Sequence, residues 1–162
     1  MTQARDNPGV IAPPPLILAA EIVLGLLLDW LFPAYVLTVL LSLGARIMIA
    51  IVLIAAGGGL AYTAVHDFRA AGTHPESWKP STALVTGGIF AWLRNPMYVG
   101  GTLLLMGLAI LLASDWMLVM TIVFVAVVHF GVVKREEAYL AAKFGEPYRR
   151  YMAEVPRYGW PV

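Results

Sequence analysis

Three short stretches hold residue types whose spacing suits chemistry on a small molecule. The first is RNPMYVGG, Arg94 to Gly101. A good N-cap residue, Asn95, precedes Pro96 at the first position of an apolar helix, so the backbone N–H groups of Met97 and Tyr98 are expected to point outward unpaired. A helix N-terminus with Arg94 beside it would attract a carboxylate, Tyr98 offers an aromatic face and a hydroxyl, and Gly100 and Gly101 permit close approach one turn further on. The same residues would also serve as a charged membrane boundary, a helix start and a packing site. The second stretch is the acidic pair Glu136-Glu137, preceded by Arg135. Adjacent helical residues point about 100° apart. One carboxylate at most is therefore expected to face a site, there to bind a ribose diol or offset a positive sulfur, and the other to be solvated. Solubilising surface is the plainer use of such a pair. The third is LVTGGIFAWLRNP, Leu84 to Pro96, whose Phe90 or Trp92 would wall an adenine pocket or, equally, lie on lipid.

The elements that must position these stretches are apolar. The chain has 162 residues, 60% hydrophobic and 13% charged, with net charge +1. Soluble domains sit near 45–50% and 25%, so a membrane is the simplest solvent. The near-neutral charge argues against a nucleic-acid partner, and the absence of cysteine excludes thiolate nucleophiles and cysteine metal sites. His66, His74 and His129 have no metal-ligand spacing, so no metal is expected. The first twelve residues are polar and rich in Pro and Gly, and the N-terminus is read as retained.

Four apolar runs, Leu16 to Phe32, Leu43 to Val65, Met97 to Ala113 and Trp116 to Val133, each fit a membrane helix. The shorter ones reach about 25 Å, short for a hydrocarbon core of about 30 Å, and Trp30, Trp92 and Trp116 suit interfacial anchoring. The apolar stretch Ala34 to Ser42 leaves the count at four or five spans. Ten of the eleven basic residues, Arg5 among them, lie outside the runs and on one side of a four-span topology. The positive-inside tendency makes that side cytoplasmic. Runs three and four form a helical hairpin across Ser114-Asp115, which brings segment 66–96 to the segment beginning at Lys134. The latter reads as a helix to Phe144, a Gly145 cap, a second short helix from Pro147 and a stop at Pro156. Glu21 and Asp29, near the ends of the first run, are expected to snorkel to the interface. One domain is expected over 1–162, with N-terminal helices over 1–65 and the cofactor loop, hairpin and C-terminal helices over 66–162.

Taken in order, LVTGGIFAWLRNPMYVGG, a hairpin, then EEAYLAAKFGEPYRRYMAEVPR resembles the isoprenylcysteine carboxyl methyltransferase and phospholipid methyltransferase family, over roughly Thr82 to Pro161. The resemblance implies an all-α integral membrane fold with a cytoplasmic cofactor pocket, an S-adenosylmethionine cofactor, a lipophilic methyl acceptor among membrane lipids, and a bacterial inner membrane as the location. Matched motif by motif, it implies cofactor contacts from Leu84, Val85, Phe90, Asn95, Pro96, Met97, Tyr98 and one of Glu136 and Glu137, the former assigned to the cofactor. Arg94, Arg135 and Glu137 are assigned to the chemistry. Asn95 stands for the family's usual histidine and Phe90 for its tyrosine. Val132 stands where carboxyl methyltransferases carry an arginine, so an amine or thiol acceptor stays open beside a carboxylate. A structural membrane protein and a nicotinamide-dependent sterol reductase are the competing readings; the chain is too short for the reductase's usual helices.

Overall fold

The computed structural model describes residues 6–159. Arg5, and Pro161 at the end of the family-like stretch, lie outside them. Among the described residues all regular structure is helical: α1 Pro14–Leu31, α2 Val36–Leu40, α3 Leu43–Ala70, α4 Pro96–Leu112, α5 Asp115–Val128, α6 Lys134–Phe144 and α7 Glu146–Glu154, with a 3-10 turn over Gly88–Ala91 and a π-helical turn over His129–Val133. Pro14 and Pro96 occupy the first turns of α1 and α4, where a missing N–H costs nothing. Among the described residues three helices are long and apolar enough to cross a membrane: Pro14–Leu31, Leu43–Ala70 and a continuous helix Asp115–Phe144; α4 is apolar but only seventeen residues long. The Ala34 to Ser42 stretch holds only the five-residue α2. At about 1.5 Å per residue that is far too short to span.

The packing places α4 at the centre. It lies along α3 and against α5, and α1 lies on α5. Small residues allow the backbones to meet, as helices without a hydrophobic drive between them require. A Cβ on Gly57 of α3 would stand 2.6 Å from the Gly100 carbonyl of α4, and one on Gly25 of α1 would stand 2.7 Å from the Met117 backbone of α5. Leu105, Ala109, Met117 and Phe124 fill the interior, whereas Leu24, Val52 and Ile122 point outward exposed, the distribution of a bundle that sits in lipid.

The acids of α1 do not snorkel. Glu21 is buried on the same face as Ile17 and Gly25, with its Oε2 lacking a hydrogen-bond partner. Asp29 accepts from the Ser114 hydroxyl and from Trp116 N–H at 3.3 Å. Both follow from the 17–21–25 face, one residue in every four, and from the α4–α5 turn, to which α1 is tied. That turn is Ala113–Ser114 rather than Ser114-Asp115. Asp115 opens α5, and its carboxylate accepts from Val36 and Leu37 N–H at 2.9 Å each.

The fourth apolar run does not stop where the charged sequence starts. α5 continues through the π turn into α6. Within this turn the Gly131 carbonyl accepts from Ile11 N–H at 3.1 Å. Apolar sequence ends at Val133, so α6 stands beyond the membrane-fitting part of this helix.

Candidate active site

The mouth of α4 is fixed by the chain's end. Arg94 N–H donates to the Pro156 carbonyl at 3.0 Å and the Asn95 amide donates to the Arg157 carbonyl at 3.2 Å. Asn95 is at the N-cap position, but its side chain makes no capping bond, which corrects the expected cap: the amide is used to hold residue 157. The Asn95 carbonyl accepts from Tyr98 and Val99 N–H at 3.2 Å each. Tyr98 N–H is thus not the free donor anticipated, because the first turn tightens to i→i+3 spacing.

The Leu84–Pro96 stretch is shaped by Asp67 at the end of α3. Its carboxylate accepts from Ile89 N–H at 2.9 Å, and a Cβ on Gly88, whose φ is +61°, would collide with it. Glycine is required there on both grounds. The resulting turn buries Phe90, 4.7 Å from the Phe68 ring, while Trp92 is 76% exposed and takes no part in the wall. The Phe90 carbonyl accepts from Tyr151 OH at 2.7 Å.

Both acids reach the site. Glu136 Oε1 accepts from Tyr98 OH at 2.8 Å, and Ser77 Oγ lies 2.6 Å from the same hydroxyl. Glu137 takes a bidentate bond from Arg157, 2.9 and 2.7 Å, and its Oε1 lies 3.1 Å from Arg94 Nη1. The expectation that one carboxylate must be solvated fails for a physical reason. The α4 mouth covers one side of α6, and the returning residues 155–158 cover the next, 100° further round. Arg135 does not join them. It is exposed, it donates to the Gly9 carbonyl at 2.8 Å, and it does not line the cleft.

Between α4, α6, α7 and the 74–85 segment lies an open cleft, concave and mostly apolar with a few convergent polar groups, as small-molecule sites are. Leu84, Val85, Phe90, Asn95, Pro96, Met97, Tyr98, Arg94, Glu136 and Glu137 all line it. Phe68, Ser77, Leu140, Tyr148 and Tyr151 line it as well, and reading the sequence missed them. The α7 pair had a signal, since Tyr148 and Tyr151 share one face of an amphipathic helix whose Arg149 and Arg150 are exposed. Arg157 was likewise legible only as a charge.

The electrostatics are uneven. The Arg94 side chain is 6% exposed, and its Nε and Nη1 form no hydrogen bond even though Glu137 is at ion-pair distance. Guanidinium donors rarely go unused when buried, and the ion pair with Glu137 is the contact that Nη1 makes here. Glu136 is pushed up to about 7 by burial, against the bonds from Ser77 and Tyr98 that pull it down. Burial also lifts the phenols of Tyr148 and Tyr151 well above their ordinary range, so they remain neutral donors.

A family model described as phospholipid methyltransferase matches residues 45–147. The chain belongs to the phospholipid methyltransferase family. The matched span runs from the start of α3 into α7, and so contains the bundle centre and most of the cleft of this family member. A protein-S-isoprenylcysteine O-methyltransferase of Schizosaccharomyces pombe is 40% identical over 76 residues, 45% of this chain and 31% of that protein. The family member thus matches under a third of the length of that enzyme. An uncharacterized protein of Haemophilus influenzae is 36% identical over 62 residues, 38% of this chain and 98% of that protein. No solved structure matches.

Proposed function

We propose that this family member is a multi-pass membrane methyltransferase that uses S-adenosylmethionine and methylates a lipophilic acceptor, with the cleft on the cytoplasmic side. The observation that carries the reading is the donor set of the cleft: a buried guanidinium, an opposed carboxylate, and an apolar and aromatic wall. These fit the three chemistries of the cofactor. Arg94 suits its carboxylate, Glu136 its ribose hydroxyls or its positive sulfur, and Phe90 with Leu84, Val85, Phe68 and Met97 its adenine. When bound, the cofactor supplies an electrophilic methyl group on a sulfonium.

The chain's own residues orient and dry the site rather than attack. Glu137, engaged on both oxygens, holds Arg94 and Arg157 in place and is a positioning residue. Tyr98 donates to Glu136 and keeps that carboxylate turned into the cleft. Tyr151 fixes the Phe90 backbone. In-line approach and exclusion of water are the main requirements of methyl transfer, and the apolar wall next to the lipid-fitting bundle meets the second. A carboxylate acceptor of the isoprenylcysteine kind is the leading class, supported by the likeness to the isoprenylcysteine O-methyltransferase. An amine head group is the second reading, favoured by Val132 standing where an arginine would be and by the match to the phospholipid methyltransferase model.

The test is calorimetric titration of the purified protein in detergent with S-adenosylmethionine and with its decarboxylated analogue. The parent should bind the first and discriminate against the second, and Arg94→Met should weaken binding about tenfold, the worth of one charge-assisted hydrogen bond, and lose most of the discrimination. No binding by the parent would overturn the methyltransferase reading. Unaltered discrimination in Arg94→Met would move the carboxylate away from Arg94.

A further inference from the structure

Tyr139 on α6 stands outside the cleft, yet its hydroxyl joins the two segments that close it. The phenol donates to Asp6 Oδ1 at 2.8 Å and accepts from Ser81 N–H at 3.2 Å and from Lys143 Nζ at 2.9 Å. A phenol has one donor and two acceptor positions, so the group is saturated. Lys143 also bridges Asp6 at 2.7 Å and lies 5.3 Å from the Tyr139 ring centre. From Asp6 the chain runs along the α5–α6 helix as a strap. Pro8 enters the cleft wall, the Gly9 carbonyl accepts from Arg135, and Ile11 N–H reaches the Gly131 carbonyl in the π turn. On the other side, Ser81 belongs to the segment that contributes His74, Ser77, Ala83 and Leu84 to the opposite wall.

We infer that Tyr139 is a positioning residue, a latch whose single hydroxyl holds the strap over residues 6–13 and the 74–85 wall together around the cleft, so that ligand exchange requires its release. The charged partners make the latch stronger than a neutral bond. The surroundings make it releasable, since Asp6 is mostly exposed and both latched segments are irregular backbone. The latch itself rests on geometry alone; its effect on the cofactor rests on the reading of the cleft given above.

The absence of cysteine from the chain gives a direct measurement. Ala83→Cys places one thiol in the cleft wall, and its reaction with a water-soluble maleimide, without cofactor, reports opening. Added to Ala83→Cys, Tyr139→Phe keeps the ring and its contact with Lys143 and should raise the labelling rate about tenfold, the loss of one hydrogen bond to a charged group. Asp6→Ala, which frees the strap alone, should raise it less and decides the matter if Tyr139→Phe does not fold. Labelling unchanged in the folded variants overturns the latch. In the cysteine-free protein, Tyr139→Phe should speed S-adenosylmethionine dissociation and raise its KM with kcat little changed, whereas a merely structural role would lower thermal stability without that split. If the parent binds no S-adenosylmethionine, the cofactor reading fails while the labelling result still decides the latch.

Discussion

Glu136 and Glu137 are neighbours in sequence with opposite circumstances. Glu137 is neutralised by two arginines, and Glu136 has only hydroxyl donors and is pushed up to about 7. A carboxyl whose folded value exceeds the unfolded 4.5 opposes folding once ionised. Its stabilising preference is therefore fully present below pH 4.5 and is lost as pH rises through about 7. The ligand-free protein should show a falling thermal midpoint in detergent across that window, and Glu136→Gln should flatten it; a parallel slope in the variant would assign the titration to another group. Glu137→Ala should be the more damaging change, because it strands two cations, one of them buried, at a cost of about 3–5 kcal/mol for a broken buried pair, to be read from detergent unfolding. Asn95→His, the family's usual residue, should fold, since an imidazole N–H can replace the amide toward the Arg157 carbonyl. Asn95→Ala should lose about 1 kcal/mol.

At the scale of elements, the α3–α4 contact is set by glycine rather than by side chains. Gly100→Val would drive its methyls into the Gly57 carbonyl, 2.7 Å from the Cβ position, whereas Gly58 and Gly59 of α3 face open space. The first should cost about 1–3 kcal/mol or more as overpacking, and Gly59→Ala should be close to neutral. Equal stability of the two in a denaturing-detergent titration would refute this account of the interface. Such contrasts show what sequence can and cannot carry. Helices α1, α3 and α4 began within a few residues of the apolar runs because prolines and a serine cap mark them, and the Gly145 break between α6 and α7 was equally plain. Nothing local distinguishes Gly57, which packs, from Gly58, which does not. Nor does any propensity signal the π turn, whose Gly131 carbonyl accepts from the strap at Ile11.

For the whole molecule, the cleft was legible as a meeting of two polar segments after an apolar hairpin, because span parity alone decides which ends come together. Its closing parts were not legible. Arg157, Tyr151 and Tyr139 act across 20 to 133 residues of sequence, and only the packed chain shows that Asp6 and Ser81 converge on one hydroxyl. Arg135, adjacent to two cleft residues, was assigned by proximity in sequence and sits on the wrong side of the helix for it. Helical rotation outweighs adjacency whenever a site lies on one face.

The uninterrupted helix from Asp115 to Phe144 gives the molecule a mechanical property. At about 1.5 Å per residue it is a strut of some 45 Å, with its foot tied to α1 and α2 and its far end carrying both glutamates, whereas Arg94 belongs to the shorter α4. The strut's apolar part, Asp115 to Val133, is about 28 Å at that rise, close to a hydrocarbon layer of about 30 Å, and such a span changes its tilt when the layer is thinned or thickened. Any tilt swings the glutamate end of the strut relative to the α4 mouth. On the proposed function, activity should accordingly respond to bilayer thickness. In vesicles of monounsaturated phosphatidylcholines of increasing chain length, methyl-transfer rate should pass through a maximum. A rate indifferent to chain length would mean that α6 bends freely at the π turn and that the strut transmits nothing.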